Sequence, residues 1–176
     1  MAPPAGHRSV QLQICHLRSR RGSAKSAKKR DPLTAAFHRH RAVGAANRLT
    51  LCTGSLGAGF GNDLPAIAKR FAQRIHFVHL RNVSKEADGS FEEADHLGGD
   101  VDIVAVMVAL LEEQQRRQSA GAKDWRIPFR PDHGHVLLDD ANRKAHPGYP
   151  LVGRMRGLAE LRGVMTAVAD LRGLPT

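Results

Sequence analysis

The sequence predicts an α/β protein built on a parallel sheet. From residue 48 onward, short β-favouring runs alternate with longer stretches of helical periodicity, in the order β-α-β-α-β-loop-α. Strands that alternate with helices are joined by crossovers, and crossovers connect parallel strands. Polar side chains also follow each predicted strand, at the edge where α/β enzymes place their chemistry.

The elements follow from local signals in chain order. Pro65 in a first turn after Asn62 or Asp63 marks one helix start, and the pair Arg116 and Arg117 suits a helix C-terminus. The predicted elements are a strand at 49–53, a Gly-rich loop at 54–61, a helix from Asn62 or Asp63 to about Phe71, a strand at 74–83, a polar loop at 84–99, a helix from Asp100 or Asp102 to about Gln118, a strand at 125–129, a long loop, and a helix at 157–171.

Three of these elements carry clear periodic patterns. In the second strand alternation places Ile75, Phe77, His79 and Arg81 on one face. The helix that starts near Asp100 is predicted to bury a stripe formed by Val104, Met107, Leu110 and Leu111. The last helix has Leu158, Leu161, Met165 and Val168 along one side.

The charge of the chain divides it into two parts. Its net charge is +10, yet residues 1–48 alone hold 11 Lys and Arg against one acid, Asp31, and the other 16 basic residues are balanced by 16 acidic ones. Residues 1–46 lack hydrophobic periodicity and bury too little apolar surface to offset their ordering entropy, so we expect a disordered basic segment there. Residues 47–176 form the predicted folded domain.

Three origins of the basic segment are open: an arm that binds polyanions, an organelle-targeting segment, or sequence foreign to the fold, as a reading-frame error leaves. The third is favoured.

The two cysteines, Cys15 and Cys52, do not make a disulfide framework, which fits a reducing compartment such as the cytoplasm. No apolar run approaches the roughly 20 residues that span a bilayer.

The candidate site lies at the carboxyl ends of the predicted strands. Cys52 ends the first strand, His79 and Arg81 end the second, and the run Arg130-Pro131-Asp132-His133-Gly134-His135 follows the third. Asp132 and His133 can converge only where the strand has ended, which Pro131 and Gly134 favour.

Thiolate, imidazole and carboxylate together suit a divalent transition metal, and spacing alone does not choose among zinc, iron, cobalt and manganese. Arg81 and Arg130 can hold a substrate carboxylate. The alternatives are a polar turn with solvated histidines, a buried apolar role for Cys52, and surface ion pairs for the two arginines.

Six stretches of this chain resemble motifs of the mannonate dehydratase family in the family's order. They are 49–58, 76–83, 91–96, 130–135, 147–149 and 157–163. The resemblance covers roughly residues 47–172. It implies a xylose-isomerase-like TIM (β/α)₈ barrel, of which this chain holds the C-terminal three to four βα units. A whole barrel takes about 250 residues.

The resemblance also implies an activity and residue roles. The family's reaction is a hydro-lyase step of glucuronate catabolism, from D-mannonate to 2-keto-3-deoxy-D-gluconate and water, with Mn²⁺ or Fe²⁺ as cofactor. By resemblance Cys52, His79 and Asp132 match metal ligands, His133 and Tyr149 match proton-transfer residues, and Arg81 and Asn82 lie in the substrate site. Elimination removes the C2 proton and expels the C3 hydroxyl, so it needs one base and one acid. Which of His133 and Tyr149 plays each part is open.

The chain also departs from the family. Residues 1–46 do not resemble the family's upstream half, and a further metal-ligand histidine of the family has no match here. We therefore expect a truncated chain with weak activity or none. The rival function is a non-catalytic barrel fragment whose basic arm binds nucleic acid or another polyanion; it ranks second because no aromatic residues interleave the arm for base stacking. A half-barrel that pairs with another copy to complete its sheet is a third possibility.

Overall fold

The computed structural model describes residues 48–176. Its elements along the chain are strand β1 (Leu49–Cys52), helix α1 (Thr53–Gly57), helix α2 (Leu64–Phe71), a 3₁₀ turn (Ala72–Arg74), strand β2 (Ile75–Leu80), strand β3 (Asn82–Lys85), strand β4 (Phe91–Ala94), helix α3 (Ile103–Ser119), strand β5 (Phe129–Pro131), a second 3₁₀ turn (Leu138–Asn142) and helix α4 (Leu151–Arg172). The prediction of a disordered basic segment at residues 1–46 lies outside the described residues. Within residues 48–176, every helix is too short or too polar to cross a membrane.

The predicted parallel sheet is confirmed, and the structure is a mixed α/β arrangement. Strand β2 lies between β1 and β5 and pairs in parallel with both. In this register Cys52 is opposite His79, and Leu80 is opposite Pro131. Because the three strands run in the same direction, their carboxyl ends meet at one edge of the sheet.

Strand β2 lies at the centre of the hydrophobic core. Ile75, Val78 and Leu80 are each at most 1% exposed, and Val106 and Met107 of helix α3 belong to the same buried cluster. A central strand of a parallel sheet is covered on both faces, which is why its sequence is so apolar. Each large apolar side chain that is fully buried contributes about 1.5–3 kcal/mol to stability.

Helices α2 and α3 begin where the sequence predicts them. Asp63 accepts a hydrogen bond from the backbone N–H of Ala66 at 3.0 Å. Asp102 does the same for Ala105 at 2.8 Å. Both are carboxylate N-caps, which satisfy backbone donors that have no partner inside the helix.

The stripe predicted for helix α3 is wrong at Val104, whose side chain is 45% exposed. Ile103 and Val106 are buried in its place, at 2% and 0% exposure. The other three predicted members of the stripe, Met107, Leu110 and Leu111, are buried as predicted.

The polar loop predicted at 84–99 contains an antiparallel hairpin instead. Strands β3 and β4 pair with Val83 opposite Glu93, and Arg81 separates β3 from β2. Gly89, with φ of 92°, closes the connecting turn. Asp-Gly at 88–89 is a turn signal, but the flanking strands are too polar to show the alternation of a half-buried sheet.

Two further boundaries differ from prediction. Helix α1 occupies part of the predicted Gly-rich loop, because Gly57 lets the helix pack closely: a Cβ there would lie 2.5 Å from Val101 Cγ2. Strand β5 covers 129–131 rather than 125–129, since Pro128 has no N–H for a ladder and the N–H of Ile127 donates to Gln114 Oε1 at 2.7 Å.

Helix α4 begins at Leu151, well before the predicted start at Gly157. Its N-terminal donors are capped from a distance: Asp140, which is 4% exposed, accepts from the N–H groups of Val152 and Gly153 at 2.9 and 2.8 Å. Such a cap has no local sequence pattern, because its carboxylate comes from a separate turn.

A buried ion pair joins helix α3 to the start of β2. Glu113 and Arg117 are each 5% exposed, and Arg117 Nε donates to Glu113 Oε1 at 2.8 Å. Arg117 Nη2 also donates to the carbonyls of Ala72 and Ile75 at 3.0 and 2.7 Å. Breaking a buried pair is costly because one charge is left unpaired in the interior.

We expect Glu113→Gln to lower the free energy of unfolding by about 3 kcal/mol, because it leaves the buried Arg117 without its counter-charge. The matched control is Glu112→Gln on the same helix. Glu112 pairs with Arg172 at the surface, so its loss costs at most about 1 kcal/mol. Urea unfolding of the three proteins measures this difference, and equal stabilities for the two variants would contradict it.

The same pair predicts how stability depends on pH. Burial raises the pKa of Glu113, but hydrogen bonds from Arg116 and Arg117 outweigh it and hold the pKa below the usual 4.5. A depressed folded pKa contributes stability above the unfolded pKa, and that stability is lost as the pH falls through the folded pKa. As the pH falls through this acidic range, the free energy of unfolding should therefore decrease less steeply in Glu113→Gln than in the wild type.

Asp140→Ala should shorten or loosen the first turn of helix α4 and lower the free energy of unfolding by about 1–2 kcal/mol, since two helix donors lose their cap. Asp139→Ala in the same 3₁₀ turn is the control, because Asp139 pairs with Arg143 at an exposed position. Amide hydrogen exchange at Val152 and Gly153 locates the effect. Unchanged exchange at these amides in Asp140→Ala would show that the cap does not hold the helix start.

Candidate functional site

The site begins at the carboxyl ends of β1 and β2. The backbone carries Cys52 and His79 to neighbouring positions of the ladder. Asp132 follows β5 directly, and its N–H donates to the carbonyl of Leu80 at 3.2 Å. The structure therefore brings the three predicted ligands to one edge, as the alternation of strands and helices implies.

His79 and Asp132 form a close pair in this cluster. Nε2 of His79 lies 2.9 Å from Oδ1 of Asp132, whose side chain is only 5% exposed. The Asp132 carboxylate, with a smaller effect from Cys52, raises the pKa of His79 to about 9 although burial opposes the shift. His79 is therefore protonated at neutral pH and balances the buried carboxylate.

The neighbours of Cys52 favour its thiolate form. Burial raises the pKa of the Cys52 thiol, but hydrogen bonds with His79 and Ser55 outweigh burial and place the pKa below its usual value. Ser55 Oγ lies 3.1 Å from the Cys52 sulfur. Burial likewise raises the pKa of Asp132, but the hydrogen bond from His79 and the charges of His79, His133 and Arg81 together outweigh burial and hold the pKa below its usual value.

Arg81 enters the cluster because its backbone is fixed beyond the end of β2. The Arg81 N–H donates to Thr53 Oγ1 at 2.8 Å, and that hydroxyl donates to the Arg81 carbonyl at 2.6 Å. Gly54 leaves room for the Arg81 side chain, which a Cβ would overlap. Arg81 Nε lies 3.6 Å from Oδ2 of Asp132, so His79 and Arg81 reach the same carboxylate as their predicted shared face requires.

His133 and Asp132 converge although they are adjacent in sequence. Strand β5 ends at Pro131, and His133 Nδ1 then lies 2.9 Å from Asp132 Oδ2. The ring of Tyr149 lies beside His133, with the centroids 5.1 Å apart. Gly148, with φ of 81°, permits this approach, since a Cβ there would lie 2.5 Å from His133 Cδ2. Tyr149 is 40% exposed and so is open to solvent.

Glu93 is a member of the cluster that the sequence did not single out. Its carboxylate forms a two-point hydrogen bond with Arg81, in which Nε donates to Oε2 at 2.8 Å and Nη2 donates to Oε1. Oε2 is also 3.4 Å from His133 Nδ1. Glu93 lies in the stretch 91–96 that resembles a family motif, and the turn signal at 88–89 was a local sign that strand β4 would return it to this edge.

Two predicted substrate residues lie differently from the others. Asn82 is 1% exposed, and its amide bonds the backbone of His96, Val83 and Val101, which favours a structural role. Arg130 is exposed on β5, and within residues 48–176 no hydrogen bond or ion pair joins it to the cluster. Arg81 is therefore the arginine that the structure brings to the predicted ligands.

The residues present fit a metal ion only in part. The donor types suit a divalent transition metal, and His79 Nε2 is a buried nitrogen without a well-directed hydrogen bond. However, among residues 48–176 no group of three or more His, Cys, Asp or Glu side chains is placed to hold a metal ion. The described part of the chain therefore does not make up a metal site, and no catalytic step is derived through one.

A cavity of about 260 Å³ opens beside His133. The end of the β3–β4 hairpin and the first turns of helix α4 enclose it. Its polar lining includes Glu93, His96, His133, His135, Arg156 and Glu160. The cluster thus borders a space large enough for a small polar molecule.

Comparison with known proteins assigns this chain to a family. The family model described as D-mannonate dehydratase (UxuA) matches residues 37–173, starting upstream of the predicted boundary at residue 47. A mannonate dehydratase of Rhizobium meliloti is 59% identical over 127 residues, covering 70% of this chain and 32% of the relative. Mannonate dehydratase 1 of Agrobacterium fabrum is 57% identical over 135 residues, with coverages of 74% and 34%. The mannonate dehydratase of Saccharophagus degradans is 57% identical over 127 residues, with coverages of 72% and 32%.

The chain spans about a third of the length of the curated relatives that it matches. The match covers β1 to α4, and so includes every residue of the cluster around Asp132. The chain therefore belongs to the D-mannonate dehydratase family.

Proposed function

We propose that this chain carries the acid–base and substrate-binding part of a mannonate dehydratase site, which acts on D-mannonate by elimination of water. The observation that carries the proposal is the convergence of His79, Arg81 and His133 on the buried carboxylate of Asp132 at the carboxyl edge of a parallel sheet. The family model that covers these residues is described as D-mannonate dehydratase, and two relatives at 59% and 57% identity are named mannonate dehydratases.

The residues divide the work of an elimination between them. His133 and Tyr149 lie side by side, so one can remove the C2 proton of the sugar acid while the other protonates the departing C3 hydroxyl. Arg81 supplies a fixed positive charge for the substrate carboxylate. The cavity is lined by His133 and gives the sugar chain a place next to that proton-transfer group.

We also propose that the three parallel strands are part of a TIM (β/α)₈ barrel. Strands β1 and β5 each have one unpaired edge in residues 48–176, and a closed barrel would pair both. The placement of the cluster at the carboxyl ends of the strands supports this architecture, because barrel enzymes build their sites there.

A divalent cation, Mn²⁺ or Fe²⁺, is the proposed cofactor, with Cys52, His79 and Asp132 as ligands. The donor types and their placement at one edge of the sheet support it. Additional donors from outside residues 48–176 would be needed, because the described residues do not make up a complete set.

His133→Asn should lower the weak dehydration of D-mannonate that is expected of this chain by about 10²–10⁴-fold, the usual contribution of a positioned acid or base. The assay follows the 2-keto product formed by the purified chain with added Mn²⁺. His76→Asn is the matched control, since His76 lies outside the cavity lining and pairs with Asp124 at 3.8 Å. Product formation by the wild type that is no greater than by His133→Asn would contradict the proposed function.

Metal binding has a separate test by electron paramagnetic resonance of Mn²⁺ titrated into the chain. We expect weak binding that Asp132→Asn and Cys52→Ala both reduce further, because each removes one anionic donor. Asp95→Asn serves as the control for a carboxylate outside the predicted ligands. Equal Mn²⁺ binding by the wild type, Asp132→Asn and Cys52→Ala would exclude these residues as ligands.

A further inference from the structure

We infer that Glu93 is a positioning residue that holds Arg81 and leaves only the outer end of its guanidinium for an acid substrate. The inference rests on the proposed function and adds a residue to it. Glu93 does not reach the sheet through the predicted strands; it belongs to the hairpin of β3 and β4.

The contact between Glu93 and Arg81 uses one defined edge of the guanidinium. Both carboxylate oxygens of Glu93 accept hydrogen bonds, one from Nε and one from Nη2. Two-point pairs of this kind are stronger and more directional than single charge-assisted bonds. In the described residues no hydrogen bond or ion pair engages Nη1, so the Nη1 end is the part that a substrate carboxylate can reach.

Strand β4 makes a second contact with the Arg81 side chain, through Phe91. Side chains two residues apart lie on one face of a strand, and Phe91 accordingly places its ring 5.8 Å from the Arg81 guanidinium carbon. Phe91 at the face of the guanidinium and Glu93 at its Nε edge thus restrict the movement of the Arg81 side chain. Such contacts reduce the rotamer freedom that a long side chain would otherwise lose on binding substrate.

The hairpin is itself well anchored, so it can act as a fixed support. The N–H of Asp100 donates to the Val83 carbonyl at 2.9 Å, and the N–H of Lys85 donates to Asp100 Oδ2 at 2.9 Å. The Asn82 side chain bonds the carbonyls of His96 and Val101, both at 2.9 Å. Asn82, although buried, therefore contributes to the site indirectly, because it anchors the hairpin that carries Glu93.

Glu93 also separates Arg81 from His133. Its Oε2 receives the Arg81 Nε–H and lies 3.4 Å from His133 Nδ1, so a carboxylate lies between the guanidinium and the imidazole. Substrate can then meet Arg81 and His133 in one fixed arrangement.

The test compares Glu93→Gln with Glu92→Gln in the full chain. Glu92 is the neighbouring, exposed residue of strand β4, so its substitution removes the same charge without touching Arg81. The first readout is hydrogen exchange of the Arg81 Nε–H in chain labelled with ¹⁵N-arginine, assigned by its absence in Arg81→Lys. We expect about tenfold faster exchange in Glu93→Gln, the ratio for losing one charge-assisted hydrogen bond, and no change in Glu92→Gln.

The second readout is a titration of the labelled chain with D-mannonate. In the wild type the Arg81 Nη resonances should shift while Nε stays still; in Glu93→Gln both should shift, with affinity reduced several-fold and partly restored in Glu93→Asp. Wild-type exchange rates in Glu93→Gln, or mannonate binding that leaves Arg81 unperturbed, would overturn the inference. Absence of mannonate binding by the wild type would count against the proposed function instead, while the exchange rates would still decide whether Glu93 holds Arg81.

Discussion

The buried carboxylate of Asp132 is the charge around which the site is arranged. A carboxylate that is 4% exposed is stable as an anion only if cations or hydrogen-bond donors surround it. His79 and His133 each approach it to 2.9 Å, and Arg81 approaches to 3.6 Å. Since these groups come from different elements, the need to compensate one buried charge fixes their mutual positions.

The parallel sheet makes this arrangement possible, and close contacts at glycine complete it. The three strands deliver Cys52, His79 and Asp132 to one edge by register alone. The loop residues need more: Gly54 leaves space for Arg81, and Gly148 lets its peptide approach the His133 ring. A side chain at either glycine would displace a polar group that faces Asp132, so these glycines are part of the site rather than flexible connections.

Much of the fold and most of the cluster followed from sequence. The order of strands and helices, the caps at Asp63 and Asp102, and the clustering of polar residues at strand ends were all predictable, because they depend on local periodicity and on the direction of parallel strands. The hairpin and the early start of helix α4 were missed. The hairpin left only a turn signal at 88–89, because its strands are too polar to show an alternating pattern. The start of helix α4 depends on a carboxylate from a separate turn, Asp140, which accepts from the Val152 N–H and leaves no local pattern.

The sequence by itself determined the α/β class, the residue types of the site and, through long motifs, the family to which the chain belongs. Only the tertiary structure decided which side chains pair with the same charged group. It separated Arg81, which faces Asp132 and Glu93, from Arg130, which is exposed, and it set Asn82 into the anchor of the hairpin. The physical reason is that a motif specifies which groups are available, whereas burial and hydrogen bonding across distant segments decide which of them are paired and which remain free to react.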